Sequence, residues 1–551
     1  MKNIYAISVL FLLSTSAFSQ TPGWIWAKNG GGALYDGAYS VAVDPSGNSY
    51  AAGGFQSSSI TFGTTTLNNS SLDTMDIFLV KYDIVGTAIW ARGAGGNGVD
   101  YVFSVTTDTA GNVIIVGHFE SDSIVFGAFT LYNNGVGGDI FVVKYDTYGN
   151  ELWAKSAGGN YDDKATSVAT DVSGNILITG FFLADTIQFD SYDLISAGNY
   201  DMFLTKYDPN GNVIWATSAG NANDDRGYAV TVDPSGDVIV AGAFLSSTIT
   251  IGTTLLSYAG GAYTDIFIAK FGTSGNNLWA KAAGGTYLDE PNALTTDQLG
   301  NIFMTGVVYS TSIDFGTGPL MNSGSSFYCE MFLVKYDANG NTQWSLNAGA
   351  AANNDIAYSI DADVAGNVYV SGIYGAPITF GTVTLTGGGI FVVKFDMSGI
   401  AQWGIGVPGG YGNAIAVDPM GDIYVTGTTY QTTLVFGTTT INNASAFDMF
   451  HAKLSTSVNI TENNFCNNMS IYPNPVSLSE PIINVEIELY APSTLTWKII
   501  DSNGKVVYYS QSESTDNVAT RQLDLNGFSA GLYFLEVETE TSTMSRHILI
   551  H

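Results

Sequence analysis

The stretch Trp153-Ala-Lys-Ser-Ala-Gly-Gly159 (WAKSAGG) recurs in related forms along most of the chain. The tryptophans that open these stretches are 59 to 65 residues apart: Trp26, Trp90, Trp153, Trp215, Trp279, Trp344 and Trp403. A repeat of this length accommodates four short strands, and one such unit buries its apolar faces only against neighbouring copies. The seven copies therefore predict an all-β, seven-bladed β-propeller with four-stranded blades.

Two further positions recur within each repeat. An Asp-x-x-Gly turn follows the first strand, as in DPSGN from Asp44, and predicts a hairpin because Asp caps its own backbone and Gly tolerates positive φ. A second glycine stands nine residues after each Asp and predicts a bulge or a close backbone approach. The second glycines are Gly53, Gly117, Gly180, Gly242, Gly306, Gly372 and Gly427.

The stretches between the second and third strands are predicted to be packed by their own side chains, because each apolar core such as ITFG from Ile60 is followed by a returning aliphatic residue. The third strands carry one lysine each, and identical placement in every repeat favours a scaffold role over a basic binding patch. We expect their heads to pair with acids or to lie in water. These lysines are Lys81, Lys144, Lys206, Lys270, Lys335, Lys394 and Lys453.

The order of the repeated elements predicts how the ring closes. The first Trp strand, GWIWAK from Gly23, has no third strand before it, and the last third strand, DMFHAKL from Asp448, has no Trp strand after it. The two ends complete one blade. We therefore expect the N-terminal strand to form the outer edge of the seventh blade.

The ends of the chain differ from the repeats. Residues 1–19 combine Lys2, an apolar run and a small-residue ending, which together predict a secretory signal removed before Gln20. Residues 20–455 form the predicted propeller, 456–468 a polar linker and 469–551 a small β-sandwich. No later apolar run is long enough to cross a membrane, so no transmembrane segment is expected in the mature chain. Two cysteines, Cys329 and Cys466, leave open whether a disulfide forms.

The combined D-x-x-G-N, late-strand Gly, F-x-x-K-x-D and W-A-x-x-x-G-G pattern over residues 21–455 resembles the SBBP-type propeller repeat, which implies a fold but no agreed chemistry. Residues 466–551 resemble the C-terminal sorting domain of type IX secretion substrates. That resemblance rests on SIYPNPV from Ser470, WKIIDSNGKVVY from Trp497, LDLNGFSAGLYFLEV from Leu523 and SRHILI from Ser545. It implies the type IX machinery as a partner and a secreted or cell-surface location on a Gram-negative bacterium. An ordinary sandwich that is not removed remains the alternative.

The charge balance excludes one class of partner. The net charge is −31, with only 18 basic residues in 551. Nucleic-acid binding needs clustered Lys and Arg on one face, and here the basic residues are scattered, many at the scaffold position. We therefore expect no nucleic-acid partner.

A set of acidic residues lies on the connections between repeats, eight residues before each hairpin Asp. Oxygen ligands crowded around one mouth of the channel would suit Ca²⁺. In the alternative, each carboxylate caps its own loop by accepting backbone N–H groups, which six-fold repetition favours. The six are Asp36, Asp100, Asp163, Asp225, Asp289 and Asp355, and Gly410 takes the seventh place.

Recognition is expected where the repeat is broken, because loops on a rigid scaffold commonly carry binding. Charged and aromatic residues on these connections form the candidate ligand face, and ordinary solvated loops are the alternative. The candidates are Tyr161, Asp162, Asp224, Arg226, Tyr287, Glu290 and Tyr411.

Catalytic patterns have little support in the sequence. The four histidines, at 118, 451, 547 and 551, form no metal or triad spacing. The sequence therefore favours a monomeric, non-catalytic binding or adhesion module with a glycan or surface-protein ligand and no required cofactor. A polysaccharide-active hydrolase or lyase and a structural envelope component are the alternatives.

Overall fold

The computed structural model describes residues 22–455 and 466–550, apart from 73, 184–185, 325–326, 351, 376, 445–446, 480, 491, 502–504 and 540–542. The predicted signal peptide and residues 456–465 of the predicted linker lie outside the described residues. Within the described residues the chain forms 49 β-strands and no helix.

Strand β1 spans Gly23–Gly30, and each repeat then contributes strands in one order. The first repeat contains β2 (Asp36–Val43), β3 (Ser49–Phe55), β4 (Ser59–Phe62), β5 (Thr65–Asn68), β6 (Asp76–Tyr82) and β7 (Ala88–Ala94). The second contains β8 (Asp100–Thr107), β9 (Val113–Phe119), β10 (Ser123–Phe126), β11 (Phe129–Tyr132), β12 (Asp139–Tyr145) and β13 (Glu151–Ala157). The third contains β14 (Asp163–Thr170), β15 (Ile176–Phe182), β16 (Thr186–Phe189), β17 (Tyr192–Ile195), β18 (Asp201–Tyr207) and β19 (Val213–Ala219).

The remaining repeats follow the same order. The fourth contains β20 (Asp225–Val232), β21 (Val238–Phe244), β22 (Thr248–Ile251), β23 (Thr254–Ser257), β24 (Asp265–Phe271) and β25 (Asn277–Ala283). The fifth contains β26 (Asp289–Thr296), β27 (Ile302–Val308), β28 (Ser312–Asp314), β29 (Pro319–Met321), β30 (Glu330–Tyr336) and β31 (Thr342–Ala348). The sixth contains β32 (Ile356–Ala362), β33 (Val368–Tyr374), β34 (Ile378–Phe380), β35 (Val383–Leu385), β36 (Gly389–Phe395) and β37 (Ala401–Val407). The seventh contains β38 (Gly410–Val417), β39 (Ile423–Thr429), β40 (Thr433–Phe436), β41 (Thr439–Asn442) and β42 (Met449–Ser455).

The four long strands of each repeat form one antiparallel sheet, and the short pair forms a separate hairpin. The seven first strands pack beside one another in sequence, and β38 packs beside β2, so the sheets form a closed ring around a central channel. The short hairpins pair each core aliphatic with the returning one, as Ile124 with Leu131; the core aliphatics are buried, and the returning ones are buried or half-buried. This is a β-propeller, with seven sheets as the seven tryptophans predict.

The seventh sheet contains both ends of the propeller, in the order β1-β42-β39-β38. The register of β1 on β42 runs antiparallel from Gly23 opposite Ser455 to Gly30 opposite Met449. The predicted closure by the N-terminal strand is confirmed, and the ring therefore joins residues more than 400 positions apart in the chain.

Six of the seven repeated tryptophans pack against a hairpin glycine of the next blade, and five of them also donate a hydrogen bond there. The indole N–H of Trp153 donates to the carbonyl of Pro209, 3.1 Å away in the following hairpin, and a Cβ on Gly211 would lie 2.9 Å from its ring. Trp26 makes the same contact across the closure, from β1 to the carbonyl of Ile84 at 3.2 Å. A smaller residue at this position would lose both the hydrogen bond and the packing, which explains why the tryptophan recurs.

The hairpin aspartates and third-strand lysines form largely buried ion pairs in six of the seven blades, and in the fifth blade Lys335 Nζ donates to the carbonyl of Met397 instead. Lys206 Nζ lies 2.9 Å from Asp171 Oδ2, and both side chains are buried. The other oxygen of Asp171 accepts the backbone N–H groups of Ser173 and Asn175, so the carboxylate is fully used. The lysines therefore hold the scaffold together, as their repeated position predicts, and form no basic patch.

The C-terminal part of the chain forms a two-sheet sandwich. Its strands are β43 (Cys466–Tyr472), β44 (Ile482–Leu489), β45 (Thr494–Asp501), β46 (Val506–Glu513), β47 (Val518–Asp524), β48 (Gly531–Glu538) and β49 (Thr543–Ile550). Sheet β43-β44-β47 faces sheet β46-β45-β48-β49 across a core that includes Val485, Trp497 and Val537. The first strand begins at Cys466, three residues earlier than the predicted domain start, because its polar residues pair through the backbone with β44.

Candidate functional site

A β-bulge interrupts the first strand of every blade at the same place. In β26 the pairing with β27 passes from Pro291 to Ala293, so Asn292 is an extra residue. The glycine opposite each bulge leaves room for it: a Cβ on Gly306 would lie 2.1 Å from the carbonyl oxygen of Glu290. Both interpretations of the late-strand glycine are thus confirmed. The extra residues of the seven bulges are Tyr39, Phe103, Thr166, Tyr228, Asn292, Tyr358 and Asn413.

The extra residues vary from blade to blade, whereas the framework around them repeats. Bulges re-aim side chains and are common next to functional sites. Four of the seven, from the fifth, sixth, seventh and first blades, line cavities at the mouth of the channel. The variable position therefore makes this mouth asymmetric.

The first cavity, of about 700 Å³, lies where the fourth, fifth and sixth blades meet. Its walls are mainly aromatic, and the rings of Tyr263 and Tyr287 stack at 5.8 Å between centroids. Its volume falls in the range of small-ligand pockets. It is lined by Tyr263, Tyr287, Leu288, Glu290, Asn292, Val307, Tyr309, Phe327, Ile356 and Tyr358.

The second cavity, of about 560 Å³, continues around the mouth toward the first blade. Asn292 and Tyr358 line both cavities, so the two adjoin. Burial raises the pKa of Tyr358 to about 12, which keeps its hydroxyl neutral at physiological pH. The second cavity is lined by Tyr35, Tyr39, Asn292, Tyr358, Tyr411, Asn413, Thr428 and Phe447.

The two cavity asparagines are held in one orientation by neighbouring blades. Asn292 Nδ2 donates to the carbonyl of Ala357 at 2.8 Å, and Asn413 Nδ2 donates to the carbonyl of Ala38 at 2.8 Å. A carbonyl partner requires the amide nitrogen at that position, so each Oδ1 remains as an acceptor. The described residues donate no hydrogen bond to either Oδ1.

Glu290 is the one carboxylate that lines either cavity among the described residues. Its Oε1 accepts the Tyr228 hydroxyl at 3.2 Å, while no described residue donates to Oε2. Burial raises the pKa of Glu290, and the Tyr228 hydroxyl and the positive charge of Arg226 oppose that shift. The side chain is thus a positioned hydrogen-bond acceptor at the cavity wall.

Arg226 lies on the blade that precedes Glu290. Its Nη2 donates to Asp224 Oδ2 at 2.9 Å, and its guanidinium lies 4.5 Å from the centroid of Tyr200 and 5.1 Å from that of Phe181. This stacking fixes the guanidinium against the rings of Tyr200 and Phe181. The fourth blade therefore presents a charged flank, and the fifth to first blades present the aromatic cavities.

The structure brings together part of the predicted ligand face. Tyr287, Glu290 and Tyr411 line the cavities, and Asp224 and Arg226 form the adjacent ion pair. Tyr161 and Asp162 lie on a different connection, where Asp162 accepts the backbone N–H of Gly138, and they line neither cavity. Sequence reasoning missed Tyr39, Asn292, Tyr358 and Asn413. The sequence did contain a signal for them: the residue three places after Asp36, and after each of its equivalents in the other repeats, varies inside an otherwise repeated strand.

Five of the six ring aspartates are the first residue of a first strand and Asp355 directly precedes one, and each accepts backbone N–H groups of the adjoining connections. Asp225 accepts Asn221 N and Ser246 N, together with the Ser246 hydroxyl at 2.7 Å. All six side chains are buried. The described residues contain no group of three or more His, Cys, Asp or Glu side chains arranged to hold a metal ion. These contacts are those of the loop-cap alternative, and the carboxylates are not gathered at the channel mouth.

The paired glycines of WAKSAGG make room for this buried acidic network. A Cβ on Gly95 would lie 2.1 Å from Asp76 Oδ1, and one on Gly96 would lie 2.7 Å from the Ser121 hydroxyl that donates to Asp100. Burial raises the pKa of Asp100, and the negative charge of its neighbour Asp76 raises it further. Each such junction thus holds a third-strand acid beside a ring aspartate. Between the sixth and seventh blades, Gly389 and Gly410 take the places of both acids.

These carboxyls predict an unusual dependence of stability on pH. Burial raises the pKa of Asp100 and of Asp289 from 3.8 to about 7, and that of Asp139, Asp201, Asp265 and Asp355 to about 6. Between pH 4 and 7 the folded state holds protons that the unfolded state has released, so the free energy of unfolding falls as pH rises. We expect the melting temperature to be several degrees higher at pH 5 than at pH 8.

The measurement is a thermal melt at each pH, repeated in high salt to screen repulsion between surface charges. The variants Asp100→Asn and Asp289→Asn should flatten the profile. A melting temperature that rises from pH 5 to pH 8 would contradict the prediction.

The described histidines and the described thiol are structural. His118 is buried between the carbonyl of Asp163 and the carboxylate of Glu120. His451 lies on the closing blade, 2.8 Å from the Ser49 hydroxyl across the seam, and burial lowers its pKa to about 3. Cys329 is a buried free thiol. The side chain of Cys466 lies outside the described residues.

Comparison with known proteins identifies the C-terminal part. Its two sheets bury a core that includes Val485, Trp497, Val537 and Ile548, with strands running to Ile550. Residues 470–551 match the family described as secretion system C-terminal sorting domain. The chain therefore carries a sorting domain. That domain supports export through the type IX machinery, in agreement with the resemblance of the motifs.

Two curated relatives match parts of the chain. An uncharacterized WD repeat-containing protein, L264, of Acanthamoeba polyphaga mimivirus is 25% identical over 463 residues, 69% of this chain and 33% of that protein. The regulatory protein FlaEY of Caulobacter vibrioides is 25% identical over 180 residues, 31% of this chain and 19% of that protein. The chain thus spans a third or less of the length of these relatives.

Two solved structures were also matched. The gluconolactonase XC5397 of Xanthomonas campestris shows 9% identity and a TM-score of 0.28, over 63% of this chain and 90% of that one. A Synechocystis apocarotenoid oxygenase mutant shows 11% identity and a TM-score of 0.34, over 79% of this chain and 94% of that one.

Among the described residues, no helix is long and apolar enough to cross a membrane.

Proposed function

We propose that this protein is a non-catalytic binding module that its sorting domain delivers to the cell surface or releases outside the cell. The observation that carries the proposal is the asymmetric aromatic mouth of the propeller. Tyrosines from several blades line two adjoining cavities there, and the variable bulge position supplies the residues they share. Aromatic rings give large contact areas at low entropic cost, and their faces suit sugar or side-chain stacking.

The contents of the cavities favour binding over hydrolysis. Glycoside cleavage by the usual route needs two carboxyl groups flanking the bond. Glu290 is the one carboxylate on the described cavity walls, and the nearest ring aspartate, Asp289, is buried and accepts the Ser310 hydroxyl. The charged pair Arg226–Asp224 is internally neutralised. We therefore place the hydrolase or lyase second and the purely structural role third.

The proposal predicts that single tyrosines control binding. The full chain would be screened against glycans, surface polymers and extracellular proteins, with calcium and with a chelator. Tyr287→Ala and Tyr358→Ala should each weaken saturable binding about 10-fold, since each removes a stacking face worth about 1 kcal/mol together with its buried area. The screen should also show unchanged ligand length, because no bond is cleaved.

A matched control is Tyr148→Ala. Tyr148 is 77% exposed on a hairpin at the opposite end of the strands, so its loss should leave binding within twofold. Unchanged binding affinity in both Tyr287→Ala and Tyr358→Ala, or a ligand that is shortened on incubation, would contradict the proposal.

A further inference from the structure

The two cavities form one continuous trough around half of the channel mouth. They share Asn292 and Tyr358, and their walls extend from Tyr263 on the fourth blade to Tyr39 on the first. The first strands β26, β32, β38 and β2 contribute successive floor positions. A compact ligand would occupy one cavity, whereas a chain can cross the shared wall and contact both.

Three fixed acceptors line the trough, beside the hydroxyls of seven tyrosines, which can both donate and accept. Asn292 Oδ1, Asn413 Oδ1 and Glu290 Oε2 receive no hydrogen bond from the described residues, while the amide nitrogens of both asparagines donate to blade carbonyls. Acceptors of this kind match ligands with many hydroxyl donors. Their orientation is fixed in advance by the neighbouring blades, which lowers the entropic cost of binding.

Charge discriminates among such ligands. Glu290 lies at the wall of the first cavity, and the chain carries a net charge of −31. An anionic chain would bring like charges into a partly desolvated site, which is costly. The cation of Arg226 offsets this only in part, because it is paired with Asp224 and stacked on two rings. The trough therefore suits uncharged chains.

We propose that the ligand is a neutral glycan chain that lies across both cavities and stacks at least one sugar ring in each. This inference rests on the proposed function and names its ligand class. A peptide is the less favoured occupant, because its backbone carries one N–H donor per residue, whereas each sugar ring offers several hydroxyl donors to the fixed acceptors. A protein partner becomes an outcome of the test.

The experiment measures calorimetric affinity of the full chain for neutral oligosaccharides of two to six units. The probes are the cello-, xylo-, manno- and malto-series, with oligogalacturonates as anionic counterparts. We expect at least one neutral series to gain about 10-fold or more in affinity from disaccharide to hexasaccharide. Hexagalacturonate should bind at least 10-fold more weakly than that hexasaccharide.

Single-residue variants then test whether one glycan chain contacts both cavities. Tyr287→Ala lies in the first cavity and Tyr411→Ala in the second, so each should weaken hexasaccharide binding about 10-fold, while Tyr148→Ala stays within twofold. A disaccharide should respond to one of the two tyrosines alone. Unchanged melting temperatures establish that the variants fold, and Tyr→Leu versions serve if either alanine variant melts early.

The outcomes separate this inference from the proposed function. Equal affinity for short and long chains, hexasaccharide sensitivity to one cavity alone, preference for hexagalacturonate, or no binding by any neutral series would overturn the neutral-chain assignment. The binding module still stands if another ligand from the screen is lost in Tyr358→Ala. If no ligand responds to any mouth variant, both proposals fail.

Discussion

Removal of residues 22–30 is expected to open the propeller and lower its melting temperature by about 15 °C or more. The deletion takes away β1, the whole outer strand of the seventh blade, and leaves β42 with an unpaired edge. It also removes the Trp26 indole that donates to Ile84 in the first blade. Exposed strand edges pair with other chains, so the truncated protein should also associate. Calorimetry and light scattering on the full chain with and without these residues measure both effects.

A transplant provides the control for this deletion. In the first blade the turn Asp83–Thr87 joins the third strand to the fourth, and Ser455 stands opposite Gly23 in the closing blade. Inserting a copy of that turn and residues 23–30 directly after Ser455 would return the same strand to the same edge from the other end. The melting temperature should recover to within about 5 °C. A deletion without effect, or a transplant that recovers nothing, would contradict closure by strand pairing.

The substitution Gly306→Ala is expected to cost about 3 kcal/mol and to weaken ligand binding at least 10-fold. The new Cβ would lie 2.1 Å from the carbonyl oxygen of Glu290 and 2.8 Å from both Pro291 Cα and the Phe332 ring. Because backbone cannot yield as a flexible side chain does, the bulge itself must move. That bulge carries Asn292, which lines both cavities, so stability and binding should fall together.

The matched control is Gly93→Ala, the same change in an outer strand. There the added Cβ would make contacts of 3.4 Å and longer, which are ordinary packing distances. We expect the free energy of unfolding to change by less than about 1 kcal/mol and binding to stay within twofold. Chemical denaturation and calorimetric titration of both variants measure the comparison. Equal effects from the two glycines would show that the bulge does not position the site.

The buried carboxyl pairs between blades, such as Asp76 and Asp100, link the repeated glycines to the pH dependence of stability. Gly95 and Gly96 are required by their carboxylate and hydroxyl neighbours, and the equivalent of Gly95 faces a third-strand acid in six of the seven repeats. The carboxyls sit where water is excluded, so protonation favours the folded state. We therefore expect the fold to be more stable under mildly acidic conditions, which the pH series tests directly.

Features that depend on local interactions or on order within the repeat could be predicted from the sequence, whereas features that depend on side-chain direction could not. The tryptophans, the Asp-x-x-Gly turns and the late glycines are repeated seven times, and each copy reports a local constraint that the others corroborate. The lysines, the closing strand and the sorting domain were likewise predicted, because they depend on position within the repeat or on motif order. The Ca²⁺ interpretation of Asp225 and its equivalents depended on side-chain direction, which the repeat does not specify.

The sequence by itself determined the propeller, its closure at Gly23–Gly30 and the C-terminal sorting domain, since strand alternation and repetition carry that information in one dimension. Only the tertiary structure decided the ligand trough. A bulge adds one residue to a strand and re-aims it, so alternation alone does not reveal that Asn292 and Tyr358 face the cavities. Ring closure then places Tyr39 beside Asn413, residues from opposite ends of the repeat array that no local pattern connects.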